Sequence, residues 1–304
     1  MSALASLLRS GEFVVTAELN PPKSAAAGVV RRRGEVLKGV VDAVNVTDSN
    51  RAMVAMAAIP AATIVQSAGL EPIVQMTGRD RNRIALQADL LGAAAVGIEN
   101  FVFMSGDDPK QGNHPDAVFV KDLDGVGLVK MAVGMRDQAR FLSGDEIKQP
   151  PKMLIGATAS PFTKPMEADL TKTLDKIAAG VDFLQTQPVF DLATFSHWLV
   201  EVRRSESRDV PILAGVLILR SAEQAERLGK VPGLALGPEV HDRMKKAADA
   251  EAEGIAIAVE MVKALKALPG VRGVHLYAIE WPEAVGRAVE AAGLLPRPEA
   301  RVPA

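Results

Sequence analysis

The sequence contains no cysteine. This absence excludes disulfide bonds, cysteine-ligated zinc or iron–sulfur clusters, and thiol nucleophiles in this chain. Its four histidines include no HxH or HExxH pair, so we expect no metal site. No apolar run approaches the roughly 18 residues that cross a bilayer, and no basic block is present to follow a nucleic-acid backbone. The first residues lack the basic segment that opens a signal peptide. We therefore expect a cytoplasmic protein that binds neither membranes nor nucleic acids.

The remaining composition is that of an ordinary globular protein, with 304 residues, 48% of them hydrophobic and 24% charged, and a net charge of −2. This length suits one large domain or two small ones, and α/β barrels often reach it as a single domain. No linker or low-complexity segment divides the chain. We predict one domain over residues 1–304, with a barrel over 10–295 and a loose tail over 296–304.

Short apolar runs alternate with longer amphipathic runs along the whole chain. We predict strands at 12–19, 42–48, 72–78, 100–106, 152–160, 183–189, 210–218 and 272–279. Helical patterns lie at 80–95, 122–140, 166–179, 191–205, 221–229, 240–267 and 282–292. Strands that alternate with helices indicate βαβ units and a parallel sheet. Eight such units favour a (β/α)8 TIM barrel. The alternative is a doubly wound sheet, which normally carries a glycine-rich turn after its first strand, where this chain has "NPPKS".

Polar residues recur at alternate positions near the carboxyl ends of seven predicted strands. They are Thr16 and Glu18, Asn45 and Thr47, Gln75 and Thr77, Ser105 and Asp107, Thr158 and Ser160, Gln185 and Gln187, and His275 and Tyr277. Alternate residues of a strand share one face, and in a barrel one face points inward. TIM-barrel active sites lie at this end of the strands. We therefore predict a polar site at the barrel mouth, suited to a polar, partly aromatic ligand that needs hydrogen bonds and a proton donor.

The segment "RDRNR" at 79–83 has two interpretations that the sequence leaves open. It opens a predicted helix after the third strand, so it is either a solvated, capped helix start or part of a mouth loop that contacts a ligand anion.

Six segments resemble, in order, the strand-end motifs of methylenetetrahydrofolate reductases: "VVTAELNPPK", "VNVTD", "VQMTG", "MSGDDP", "TQPVFD" and "GVHLYAI". "RDRNR" and "HLYAIEW" look more like the branch of this family found with corrinoid-linked one-carbon metabolism, as in acetogens. The resemblance implies a TIM barrel with a flavin at its mouth, FAD or alternatively FMN. NAD(P)H would reduce the flavin, which would pass hydride to 5,10-methylenetetrahydrofolate and give 5-methyltetrahydrofolate, a methyl donor for methionine biosynthesis.

The resemblance also implies roles for individual residues. Glu18 would be the general acid that protonates N10 of the folate, and partial burial would give it the raised pKa that this role needs. Asp107 would be the second catalytic residue, beside the flavin and the pterin. The implied cofactor-binding residues are Thr47, Asp48, Gln75, Ser105, Gly106, Asp107, Ser160, Asp169, Lys172 and Lys176. The implied substrate-binding residues are Gln187, Gln224 and Tyr277.

Some positions depart from the family pattern. Among them, Ser105 replaces an arginine and Ser160 replaces an aromatic residue, and both of the family's residues contact the flavin. Two further functions therefore stay open. One is a methylfolate-binding subunit of a corrinoid- or methyltransferase-linked complex that receives electrons from a partner subunit. The other is a barrel enzyme that works without flavin. For any of these functions we expect a homo-oligomer.

Overall fold

Eight parallel strands close into a barrel in sequence order in the computed structural model, which describes residues 1–231 and 233–300. The strands are β1 (Val14–Leu19), β2 (Ala43–Val46), β3 (Pro72–Thr77), β4 (Asn100–Met104), β5 (Leu154–Ala159), β6 (Phe183–Pro188), β7 (Ile212–Leu217) and β8 (Val271–Tyr277). Each strand pairs with the next, and β8 closes the barrel against β1. The predicted single-domain TIM barrel is confirmed.

Helices accompany the strands: one precedes β1, one follows β8, and the others lie between consecutive strands. They are α1 (Ala3–Ser10), α2 (Ala27–Glu35), α3 (Ala58–Ser67), α4 (Arg83–Ala95), α5 (Gly125–Asp137), α6 (Met166–Ala178), α7 (Leu192–Ser205), α8 (Ala222–Leu228), α9 (Pro238–Lys246), α10 (Ala250–Ala267) and α11 (Glu283–Ala291). The single long helix predicted over 240–267 is wrong. The chain is extended at Ala247, and Asp249 then caps a new helix by accepting a bond from the Ala252 amide. None of the helices in the described residues has the length and apolar character that a membrane span needs.

The amino-terminal end of the barrel is apolar and closed. Inward-facing residues of seven strands form one cluster with α1; they are Val14, Ala43, Ile73, Val102, Leu154, Phe183 and Leu213. Leu4, Leu7 and Leu8 of α1 complete this cluster. The Glu71 carboxylate holds α1 in place, since it accepts bonds of 2.8 Å from the Ala3 and Leu4 amides at the positive end of the helix. A ligand site inside the barrel is therefore confined to the opposite, carboxyl end of the strands.

The segment after α11 is anchored against the barrel. Arg297 is nearly buried and donates hydrogen bonds to the Asp42 carboxylate at 2.6 Å and to the Phe13 carbonyl at 2.7 Å. The prediction of a loose tail from residue 296 is therefore wrong at Arg297. Residues 301–304 of that predicted tail lie outside the described residues.

Candidate active site

A cleft of about 290 Å³ opens at the carboxyl ends of the strands. Among the residues that line it are ten of those implied by the resemblance: Asp48, Gln75, Ser105, Gly106, Asp107, Ser160, Asp169, Lys172, Lys176 and Gln187. The cleft is also lined by Asn50, Thr77, Arg79, Met104, Thr158 and Thr163. Residues separated by more than a hundred positions in the chain are thus brought to one site, at the end of the barrel that the strand pattern predicts.

The remaining implied residues lie outside this cleft. Glu18 lines a small neighbouring recess together with Asn20 and Glu280. Gln224 caps α8 from within, because its side-chain oxygen accepts a 2.6 Å bond from the Arg220 amide. Tyr277 donates its hydroxyl to the Thr186 carbonyl at 3.2 Å.

Glu18 has the properties of a proton donor. Its side chain is half-buried, and burial raises the pKa of its carboxyl from 4.5 to about 7, against the opposing effect of a hydrogen bond from Asn20. A carboxyl with a pKa near neutrality is protonated in an appreciable fraction of molecules and still releases its proton readily.

Thr47 and Asn20 connect Glu18 to the next strand. Thr47 is buried, and its hydroxyl donates to the Asn20 side-chain oxygen at 3.0 Å. The Asn20 amide nitrogen in turn donates to Glu18 Oε1 at 3.1 Å. Asn20 does not belong to any of the alternating polar pairs, because it lies beyond the end of β1 in the predicted loop. Its partners come from β1 and from the end of β2, so local sequence carries no signal for its role.

Four of the predicted mouth residues lie deeper, and for them the prediction of a mouth position is wrong. Thr16, Asn45, Gln185 and His275 are each at most 2% exposed. They bond to one another inside the barrel: Asn45 and Gln185 exchange amide bonds of 2.6 and 3.2 Å, Gln185 donates to Thr16 at 3.3 Å, and Thr16 Oγ1 lies 2.9 Å from His275 Nδ1. Side chains two residues earlier on a strand point the same way but lie one layer further from the mouth.

His275 is the titratable member of this deeper layer. Burial lowers the pKa of its imidazole to about 3, so the ring is neutral at physiological pH. Its Nε2 atom has no hydrogen-bond partner among the described residues, and its ring packs edge-on against Tyr277 with centroids 4.5 Å apart. This environment makes His275 part of the core below the mouth.

The prediction that Ser105 and Asp107 lie on the interior face of the fourth strand is also wrong. β4 ends at Met104, and its inward-facing residues are Val102 and Met104. Ser105 and Asp107 reach the cleft from the loop that follows, where Gly106 has a left-handed φ of 86°. A Cβ atom on Gly106 would lie 2.9 Å from Arg79 Cβ, so both the backbone conformation and the close approach require glycine. The Asp107 carboxylate accepts a 3.0 Å bond from the Arg51 amide across the mouth.

α6 carries the charged side of the cleft. Asp169 and Lys176 are seven residues apart, so they lie two turns apart on one face of α6, and both line the cleft with Lys172. Asp169 fixes the end of β5 by accepting a 2.9 Å bond from the Ser160 amide. Lys176 donates to the Thr158 carbonyl at 2.6 Å, and its burial lowers the pKa of its ammonium group.

The "RDRNR" segment is a capped helix start that also reaches the mouth, and its contact with a ligand anion stays a prediction. Asn82 caps α4, because its side-chain oxygen accepts bonds from the Ile84 and Ala85 amides. Arg79, which is 2% exposed, lines the cleft and donates to the Ser49 carbonyl at 3.1 Å. Arg81 pairs with Asp48, whose carboxylate also accepts from the Thr77 amide and hydroxyl at 2.9 Å each.

A bulge presents Gln187 to the cleft. The register of β6 against β7 shifts between Gln185 and Pro188, and Gln187 is exposed while its neighbours on the strand are buried. Gly215 on β7 permits the bulge, because a Cβ there would lie 2.5 Å from the Thr186 carbonyl oxygen. Bulges commonly re-aim a side chain near an active site.

A TIM barrel with a protonatable glutamate and a polar, charged cleft at its mouth has the features of an enzyme that acts on a small polar ligand. The family model described as methylenetetrahydrofolate reductase matches residues 3–293. The chain belongs to the methylenetetrahydrofolate reductase family, which confirms the resemblance seen in its strand-end motifs.

Curated relatives carry the same family name. A 5,10-methylenetetrahydrofolate reductase of Pectobacterium carotovorum is 27% identical over 226 residues, which are 73% of this chain and 69% of that protein. A probable methylenetetrahydrofolate reductase (NADPH) of Caenorhabditis elegans is 23% identical over 242 residues, 77% of this chain and 34% of that protein. Methylenetetrahydrofolate reductase 1 of Schizosaccharomyces pombe is 27% identical over 40% of this chain and 20% of its own length. The chain thus spans about a third or less of the two eukaryotic relatives.

Solved structures share the fold at lower identity. A Clostridium thermocellum protein that binds two copies of 5-methyl-5,6,7,8-tetrahydrofolic acid has a TM-score of 0.67 and 14% identity, covering 97% of this chain and 99% of that one. A long-chain alkane monooxygenase has a TM-score of 0.58 and 9% identity, covering 96% and 93% of the two chains. At these identities, the similarity shows the barrel architecture alone.

Proposed function

We propose that the protein reduces 5,10-methylenetetrahydrofolate to 5-methyltetrahydrofolate, with Glu18 as general acid. The observation that carries the proposal is Glu18 itself, a half-buried carboxyl whose pKa is raised to about 7 at a strand end of a barrel of this family. In this reaction the bond between N10 and the bridging methylene breaks, and N10 takes up the electron pair and a proton. The methylene then carries a double bond to N5 and accepts a hydride. Glu18 supplies the proton.

The charged and polar lining of the cleft supports a flavin site. Lys172 and Lys176 have ammonium groups that would bind phosphate oxygens of the flavin. Asp169, on the same face of the helix, would accept a hydrogen bond from a ribose hydroxyl. Amide and hydroxyl groups of Gln75 and Ser160 suit the polar edge of a heterocycle. When bound, a reduced flavin supplies the hydride.

Two further residue assignments deepen the proposal. Gln187, an exposed amide with donors and acceptors, suits both a pterin edge and a nicotinamide carboxamide. Asp107 lines the same cleft and would contact the pterin ring. FAD as the flavin, NAD(P)H as its reductant, a place in methionine biosynthesis, a homo-oligomeric assembly and a cytoplasmic location stay predictions.

Anaerobic titration of the purified protein tests the proposal. Flavin absorbance near roughly 450 nm should be present, or should appear on reconstitution with FAD or FMN. NADH or NADPH should bleach it, and 5,10-methylenetetrahydrofolate should then restore it with formation of 5-methyltetrahydrofolate. Bleaching only with a partner protein would favour the methylfolate-binding subunit. Folate turnover without any flavin would favour the flavin-independent enzyme, and the absence of folate turnover under all these conditions would contradict the proposal.

A further inference from the structure

Asn20 is held between Glu18 and two donors from the segment that follows β2. Its side-chain oxygen accepts from Thr47 Oγ1 at 3.0 Å and from Asn50 Nδ2 at 3.3 Å. Two donors converging on one oxygen orient the amide, so that its nitrogen faces Glu18 Oε1 at 3.1 Å. The orientation of Asn20 is therefore set by residues that do not themselves bond to Glu18.

The backbone of Asn20 is fixed as well. Its carbonyl accepts a 2.5 Å bond from Arg33 Nη1 on α2. Pro21 and Pro22 follow directly, and each proline ring restricts its own φ and the conformation of the residue before it. Asn20 is thus a rigid support at the point where the chain leaves β1.

A rigid donor on one oxygen distinguishes the two oxygens of a carboxyl group. When Glu18 is protonated, the oxygen that accepts an N–H bond acts as the carbonyl oxygen, and the hydroxyl is on the other one. We propose that Asn20 is a positioning residue that assigns Oε1 of Glu18 as the acceptor and leaves Oε2 to carry the acidic proton. This proposal rests on the proposed function for its catalytic meaning, while the hydrogen-bond arrangement itself does not.

The same bond affects the proton affinity of Glu18. A donor to a carboxylate stabilises the charged form, so the Asn20 amide opposes the effect of burial on the pKa of Glu18. The other titratable groups that face Glu18 are Tyr277 from β8, Glu280 in the segment after β8, and Arg33 from α2. Within the described part of the chain, none of these side chains forms a hydrogen bond with the Glu18 carboxyl, so removal of the Asn20 amide should move this pKa most directly.

Replacement of Asn20 by leucine, which has a similar shape and no donor, tests the proposal. The pKa of Glu18 is measured by ¹³C NMR on protein with labelled glutamate, with Glu18→Gln used to assign the signal and no folate present. We expect the pKa to rise by about one unit in Asn20→Leu. Asn113→Leu, which removes an asparagine whose oxygen accepts from the Val54 amide in a mouth loop, is the control and should leave this pKa unchanged.

The kinetic consequence is measured on the same variants. In Asn20→Leu, reoxidation by folate should slow by about tenfold, with its pH dependence displaced upward by the same unit, while reduction by nicotinamide stays at the parent rate. An unchanged pKa of Glu18 in a folded Asn20→Leu protein would overturn the proposal. If the pKa shifts as expected but the parent protein turns over no folate, Asn20 still positions Glu18 and only the proposed function fails.

Discussion

Two polar layers stand one above the other in this barrel, carried by the same strands. The deeper layer contains Thr16, Asn45, Gln185 and His275, and two residues further along the same strands the upper layer contains Glu18, Thr47, Gln187 and Tyr277. The deeper side chains bond to one another and are shielded from solvent. In the upper layer, Gln187 is exposed and Glu18 is half-buried. One layer of depth therefore separates polar residues that support the barrel from polar residues that suit chemistry.

The largest expected effect is on the chemistry of the upper layer. Glu18→Gln should slow reduction of methylenetetrahydrofolate by roughly 10²-fold or more, since it removes the general acid and keeps the shape. Reduction of the flavin by nicotinamide needs no proton at N10 and should continue at the parent rate. Stopped-flow measurement of the two half-reactions separates these effects, and an unaltered folate half-reaction would show that Glu18 is not the acid.

The next effect contrasts two glutamines on β6. Gln185→Leu should lower the free energy of unfolding by at least about 2 kcal/mol, because it removes the partners of both the side-chain nitrogen and the side-chain oxygen of the buried Asn45. The matched variant Gln187→Leu changes an exposed residue two positions later and should cost less than about 0.5 kcal/mol. Urea denaturation of the two variants measures the difference. Equal losses would mean that depth does not distinguish the layers.

The two layers should also respond to pH in opposite directions. The folded-state pKa of Glu18, about 7, is above its ordinary value of 4.5, so its contribution to stability is full below pH 4.5 and is lost as pH rises through about 7. After allowance for the partial exposure of Glu18, we expect this contribution to the free energy of unfolding to be on the order of 2 kcal/mol. His275 has a folded-state pKa of about 3, below 6.5, so its contribution is full above pH 6.5 and is lost as pH falls.

Unfolding free energies from pH 4 to 8 check both signs. Relative to the parent, Glu18→Gln should remove the loss of stability on the alkaline side, and His275→Gln should remove the loss on the acid side. The same pH response in both variants would contradict the assignment of a protonatable mouth and a neutral core.

The smallest expected effect concerns the two lysines of α6. Lys172 is exposed, so Lys172→Ala should weaken flavin binding by about tenfold, or 1.4 kcal/mol, without changing the melting temperature of flavin-free protein. Lys176→Ala should weaken binding similarly and also lower that melting temperature, because its ammonium group bonds to the Thr158 carbonyl. Equilibrium dialysis and calorimetry measure both quantities. Unaltered flavin retention in both variants would place the phosphates elsewhere.

The barrel itself was predictable, because alternating apolar and amphipathic runs define βαβ units wherever they occur. Spacing also indicates which residues share a face, and so the strand pairs were correctly directed inward on β1, β2, β6 and β8. The distance of each inward-facing side chain from the barrel mouth was not predictable, because it depends on the stagger of neighbouring strands in the closed barrel. The end of β4 at Met104 was missed for a related reason, since Ser105 continues the alternation although the hydrogen-bonded ladder has ended.

Short elements and long-range partners also escaped prediction. α1 spans only two turns. Its leucines are buried against residues of seven strands, and most of these strands lie far from α1 in the sequence. The long predicted helix was interrupted because the Asp249 side chain caps a new start, which periodicity alone does not reveal. Asn20 gave no signal, because Thr47 and Asn50, which orient it, are about thirty residues away.

The pH dependence of the folate half-reaction tests the central claim most directly. Reduced enzyme is mixed with 5,10-methylenetetrahydrofolate between pH 5.5 and 9, and flavin reoxidation is followed. If Glu18 donates the proton, the rate should fall as pH rises through about 7, where its carboxyl ionises, and it should be slow and independent of pH in Glu18→Gln. A parent rate that stays constant across this range, or that falls identically in Glu18→Gln, would contradict the account.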